Sequence, residues 1–151
     1  MNLITPLLQP ANVLANLDVS GKKRLFEQVA QLIQASHKVE AQEVFDSLFS
    51  RERLGSTGLG YGIAIPHGRI KQLRDTACAF LRLGTAIDFD APDHQPVDLV
   101  FALLAPAAAT DLHLRILGEL AAMFSDEAFR ARLRAAPDAA ALHRLLTEWT
   151  P

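Results

Sequence analysis

Only one cysteine, Cys78, occurs in 151 residues. A lone thiol cannot close an intramolecular disulfide and has no Cys neighbour for a zinc site. Nothing therefore calls for an oxidising compartment, and the cytoplasm is the expected location. An excess of one charge is also missing: 15 Lys and Arg stand against 17 Asp and Glu, a formal net charge of -2, with the basic residues spread along the chain. No basic stripe or tail is left to hold nucleic acid. Long apolar runs are absent too. None approaches the ~20 residues of a membrane span, and the opening "MNLITPLLQPANVL" has no basic leader region and is broken by Pro6 and Pro10. A soluble chain without a cleaved leader is expected. With no repeat, low-complexity tract or linker, residues 1–151 read as one domain, long enough to bury roughly two-thirds of its unfolded surface.

The apolar pattern that is present switches between helix and strand periods. From Ser20, a candidate N-cap, Leu25, Phe26, Val29, Leu32 and Ile33 recur at helical spacing as far as His37. A second helix is expected from Glu40 to Arg53, with Val44, Phe45, Leu48 and Phe49 as its stripe and Gly55 just past its end. The loop "GSTGLGYG", with four glycines in eight positions, leads into Ile63, Ala64 and Ile65, a short strand that Pro66 should end by removing a donor. His67 is thereby expected at a strand's C-terminal edge. "TACAFLRLG" and "PVDLVFALLAP" are apolar enough for buried strands, with a strand fragment and turn between them. After Pro106 a helix is expected with Leu112, Ile116, Leu120 and Met123 on one face, capped by Thr110 or Asp111, and two further helices close the chain. The fold class is α/β.

Several chemistries fail on spacing. Gly58, Gly60 and Gly62 alternate, with neither the G-x-G-x-x-G pattern nor a lysine placed for a P-loop. No serine stands in G-x-S-x-G, and Cys78 has no histidine near it. Of the five histidines, His37, His94 and His143 read as cap, turn or surface residues. His113 falls in the first turn of a helix that follows a buried strand, where ligands meet positive helix ends. His67 stands between a stiff Pro66 and a permissive Gly68.

An imidazole with an ordinary pKa of about 6.5 is a nucleophile at neutral pH and can attack phosphorus. The phosphorylated ring then needs donors: an arginine fork, a helix N-terminus or close-approaching backbone N–H groups. Arg51, Arg53, Ser56, Thr57, Gly58 and Arg69 lie near enough in sequence to supply them. The plain alternative is a long turn with solvated arginines. A metal-dependent hydrolase built on His67, His113 and Asp93 or Asp111 lacks H-x-x-x-H or H-x-H spacing.

"RERLGSTGLGYGIAIPHGRI", together with "FDAPDHQPVDLVFALLAP" and the "HL" of "DLHLRILGELA", resembles the type-2 enzyme IIA domains of the bacterial phosphoenolpyruvate-dependent phosphotransferase system, the fructose/mannitol class. The wording "GSTG" to "GIAIPHG" looks most like the nitrogen-regulatory branch of that family. The resemblance implies a mixed, mostly parallel β-sheet flanked by helices. It implies that His67 accepts a phosphoryl group from the phosphohistidine of an HPr-like phosphocarrier protein, with Arg51 and His113 as the catalytic arginine and second histidine. Ser56, Thr57 and Gly58 are the expected phosphate-binding residues, and neither cofactor nor metal is called for. The nitrogen-regulatory branch implies regulatory or transport target proteins, while a sugar-specific IIA would pass phosphate to an enzyme IIB; a homodimer is left open. Tyr61 departs from the small polar residue, often Asn, expected at its place, which bears on partner contact.

Overall fold

The computed structural model describes residues 2–108 and 110–151. A single 3-10 turn at Pro10–Asn12 leads into strand β1, Val13–Leu17. Helices α1, Lys22–His37, and α2, Ala41–Arg53, follow. Three short strands and a long hairpin come next: β2 at Gly58–Gly60, β3 at Ile63–Ala64, β4 at His67–Ile70, then β5 at Ala77–Ile87 paired with β6 at Val97–Pro106. Helices α3, Thr110–Ser125, α4, Glu127–Ala135, and α5, Ala139–Glu148, end the chain.

The six strands form one mixed sheet in the order β1-β5-β6-β3-β2, with β4 also on β6. β1 on β5, β3 on β6 and β4 on β6 are parallel; β5 on β6 and β2 on β3 are antiparallel. Side chains alternate across a strand, so one sheet can carry two cores. Ala77, Ala79 and Leu81 of β5 with Val100, Ala102 and Leu104 of β6 pack against α1 and α2. Cys78 and Phe80 with Leu99, Phe101 and Leu103 pack against α3, α4 and α5. Such two-sided burial explains why β5 and β6 read as continuous apolar runs rather than alternating ones.

Four local expectations change. α1 begins at Gly21, whose extended backbone makes no side-chain cap, and not at Ser20, because Lys22 takes the first helical position and reaches Glu52 at 2.9 Å. The glycine loop holds a strand of its own, β2, folded back on β3. Ile65 and Pro66 interrupt the edge strand without ending it: β3 pairs with Leu99 and Val100, and β4 resumes beside Leu103 on the same strand. His67 thus opens a strand instead of closing one. On α3, Ile116, Leu120, Met123 and Phe124 are buried as expected, whereas Leu112 is 37% exposed. Asp126 and Asp138 cap α4 and α5 by accepting from Phe129 N at 3.2 Å and Ala141 N at 2.9 Å. The Thr110 side chain lies outside the described residues.

Candidate functional site

β4 lies parallel to β6 with His67 opposite Leu103 and Gly68 opposite Leu104. Residues opposite one another share a face, and Leu103 faces the α3 side, so His67 does too. α3 starts four residues after β6 ends and carries His113 in its first turn. Sheet register and a short crossing loop therefore bring together two histidines 46 positions apart. Their ring centroids are 5.6 Å apart at 53°.

The half-buried His67 ring donates Nδ1–H to the Ile65 carbonyl at 2.8 Å, since a carbonyl can only accept. That bond fixes the neutral tautomer with its lone pair on Nε2. The pKa of His67 lies below its ordinary value, first through burial and further through the Arg51 charge; the Ile65 bond and the Glu52 carboxylate act the other way. His113 is 5% exposed, and its Nδ1 is the one buried side-chain polar atom among the described residues without a hydrogen-bond partner. Burial lowers its pKa too, with His67 and Arg69 adding to the effect. Buried polar atoms are otherwise almost always paired, which makes an orphan beside the His67 ring a candidate for ligand contact.

Arg51 stands in the last turn of α2 and donates Nη1–H to the Gly55 carbonyl at 2.8 Å, leaving further donors on its guanidinium. Ser56, Thr57 and Gly58, expected at the phosphate, are bonded inside the loop. Ser56 Oγ donates to the Phe89 carbonyl at 2.9 Å and accepts from Gly58 N at 3.1 Å. Thr57 Oγ1 donates to Glu52 at 2.5 Å. Arg69 donates to the Ala107 carbonyl at 3.3 Å, bracing the loop that leads to α3. The structure therefore gives Arg69 a contact within the chain.

Gly68 proves to serve packing. A Cβ there would run into Ser47 Oγ and lie 3.2 Å from the Ser47 carbonyl carbon, so the glycine lets α2 rest on β4. Tyr61, between Gly60 and Gly62, has φ 58 and lies in the turn before Ile63, which pairs with Leu99, whereas His67 pairs with Leu103 further along β6. The Tyr61 ring lies over Arg130 at 4.4 Å and its carbonyl accepts from Arg134 at 2.6 Å. His143 donates Nε2–H to the Leu8 carbonyl at 2.8 Å, a structural contact, and His94 is exposed in its turn at φ 60. Sequence reasoning missed Glu52. The available signal was its position, eight residues past Val44 and four past Leu48 on the buried stripe of α2, where a carboxylate is out of place.

Among the described residues no group of three or more His, Cys, Asp and Glu is placed to hold a metal ion, and no helix is long and apolar enough to cross a membrane. Residues 6–149 match the family described as phosphoenolpyruvate-dependent sugar phosphotransferase system, EIIA 2. The chain is 45% identical over 143 residues to the nitrogen regulatory protein of Pseudomonas aeruginosa, covering 94% of this chain and 93% of that one. It superimposes on the crystal structure of nitrogen regulatory protein IIA-Ntr from Neisseria meningitidis with a TM-score of 0.92 and 41% identity, covering 96% of this chain and 99% of the other. The fold is shared with enzyme IIA mannitol of Escherichia coli, solved in complex with phosphorylated enzyme IIB mannitol, at a TM-score of 0.79 and 20% identity over 95% and 100% of the chains.

Proposed function

The chain belongs to the EIIA type-2 family of the phosphotransferase system, and we propose that it is a nitrogen-regulatory phosphocarrier that takes up a phosphoryl group on His67 Nε2. The observation that carries this reading is the 2.8 Å bond from His67 Nδ1 to the Ile65 carbonyl, which leaves Nε2 as the free nucleophile. Burial holds the ring's pKa down, so the neutral, reactive form prevails at neutral pH.

The Nε2 lone pair forms the new P–N bond as the P–N bond to the imidazole of an HPr-like carrier breaks, and that electron pair returns to the donor ring. Nδ1 keeps its proton throughout. Transfer of this kind has a loose transition state in which positioning and charge stabilisation do most of the catalysis. Arg51 supplies guanidinium N–H groups and His113 a ring N–H to the phosphoryl oxygens. Ser56, Thr57 and Gly58 already bond within the protein, so in this reading the loop holds the site in shape and Arg51 and His113 meet the charge.

The relatives called nitrogen regulatory proteins support an output by phosphorylation-dependent binding to regulatory or transport proteins, in place of onward transfer to an enzyme IIB. Phosphoenolpyruvate, enzyme I and an HPr-like carrier should label the protein with an acid-labile, base-stable phosphate. His67→Ala should abolish the label, and label that persists in this variant would overturn the reading. Rapid loss of the label to an enzyme IIB would assign the chain to sugar transport instead.

A further inference from the structure

Glu52 is the only buried carboxylate among the described residues, at 8% exposure. Taking a carboxylate out of water is costly unless every lone pair finds a donor, and a stripe position on α2 would accept an apolar residue without that cost. Here the donors are present. Oε1 accepts from Thr57 Oγ1 at 2.5 Å and from Thr57 N at 3.2 Å, and Oε2 accepts from Lys22 Nζ at 2.9 Å. Lys22 also lies over the Phe89 ring at 4.8 Å and 3.5 Å from Asp90, so it is held from three sides.

Two arms run from this anchor. Thr57, clamped at both its N–H and its hydroxyl, offers its carbonyl to Ile65 N at 3.0 Å, and the Ile65 carbonyl in turn receives Nδ1–H of His67 at 2.8 Å. In the other arm, the turn between α2 and Thr57 contains Gly55, whose carbonyl receives the Arg51 guanidinium at 2.8 Å. The His67 ring is thus referred through hydrogen bonds to one buried carboxylate, and the Gly55 carbonyl that holds Arg51 lies in the turn that the Glu52–Thr57 bonds close. We infer that Glu52, through Thr57, is a positioning residue that sets the tautomer of His67 and the reach of Arg51. Its charge also opposes the depression of the His67 pKa.

This inference rests on His67 as the phosphoryl acceptor, and the test separates the two. Glu52→Gln keeps shape and loses charge and one acceptor. In this variant, single-turnover uptake from the phosphorylated carrier should slow by up to about a hundredfold, as expected for a displaced reacting group. The carrier concentration giving half-maximal rate should change little, because Glu52 is buried. Imidazole ¹⁵N resonances should show Nδ1–H as the dominant tautomer in the unaltered protein and a tautomer mixture with a lower pKa in the variant. A merely structural carboxylate would lower the melting temperature and leave rate and tautomer alone; that result overturns the inference. Should Glu52→Gln fail to fold, Thr57→Val removes the hydroxyl bond alone and Thr57→Ser restores it. Slower uptake in the first with recovery in the second supports the inference, and equal rates in both overturn it. If the unaltered protein takes no label on His67, the functional reading fails, while the tautomer comparison still decides whether Glu52 orients the ring.

Discussion

At the scale of single residues, the site is a problem of placing charge. On the proposed reading a phosphoryl group on His67 would add close to two negative charges beside a half-buried ring, whose pKa is lowered first by burial and further by the Arg51 charge. A guanidinium can keep its bond to the Gly55 carbonyl and still offer a fork to phosphoryl oxygens; an ammonium is a single point of charge with no fork. Arg51→Lys should therefore slow phosphoryl uptake on the order of tenfold, and Arg51→Ala on the order of a hundredfold or more, the scale seen when one preorganised donor is lost. Arg51→Ala should also raise the His67 pKa, since a neighbouring positive charge is removed. Stopped-flow uptake and an NMR titration check both, and an Arg51→Lys rate equal to that of the unaltered protein would take Arg51 out of this role. Cys78 marks the opposite extreme: fully buried in β5, its thiol is pushed up to about 12 and stays a packing group.

At the scale of elements, the placement of α2 on β4 decides where Arg51 stands, and Gly68 makes that placement close. Gly68→Ala would force Cβ into Ser47, part of it backbone that cannot swing aside, so a destabilisation of about 1–3 kcal/mol is expected from overpacking. Urea unfolding measures it; an unchanged midpoint would show that α2 can yield without loss. The same elements mark the limit of what the sequence discloses. The helices were legible because Leu25, Val29 and Ile33, or Ile116, Leu120 and Met123, repeat at helical spacing. β5 and β6 were legible as apolar runs. The broken edge strand was not, because a proline after three apolar residues signals a stop, and only pairing with Val100 and Leu103 of a distant strand carries the chain across. Likewise His67 stood out locally and Arg51 only as one of several nearby donors until the resemblance picked it out, whereas the meeting with His113 depends on β6 register and the role of Glu52 on which side of α2 faces inward.

At the scale of the whole molecule, a sheet covered on both sides leaves the candidate site at the end where β6 hands over to α3, and two titratable rings are drawn into the protein there. Their burial links folding to pH. His37, His67 and His113 all have pKa values below 6.5 in the folded protein, with desolvation the first cause in each. The folded state then binds fewer protons than the unfolded chain once the pH falls below about 6.5, so stability is at its full value above that pH. It declines as the unfolded histidines protonate and levels off below the folded pKa values. Asp93, whose pKa is lowered first by the Tyr61 N–H, acts only in the acid range of carboxylates and does not enter this window. The melting temperature at constant ionic strength should therefore fall between pH 7.5 and pH 5.5, and His113→Asn should flatten part of that fall, because a ring that resists protonation has been replaced by an amide that cannot titrate. A melting temperature that holds level or rises on acidification would mean that these three histidines accept protons in the folded state as readily as in water, and that the neutral nucleophile proposed at His67 is not maintained by the fold.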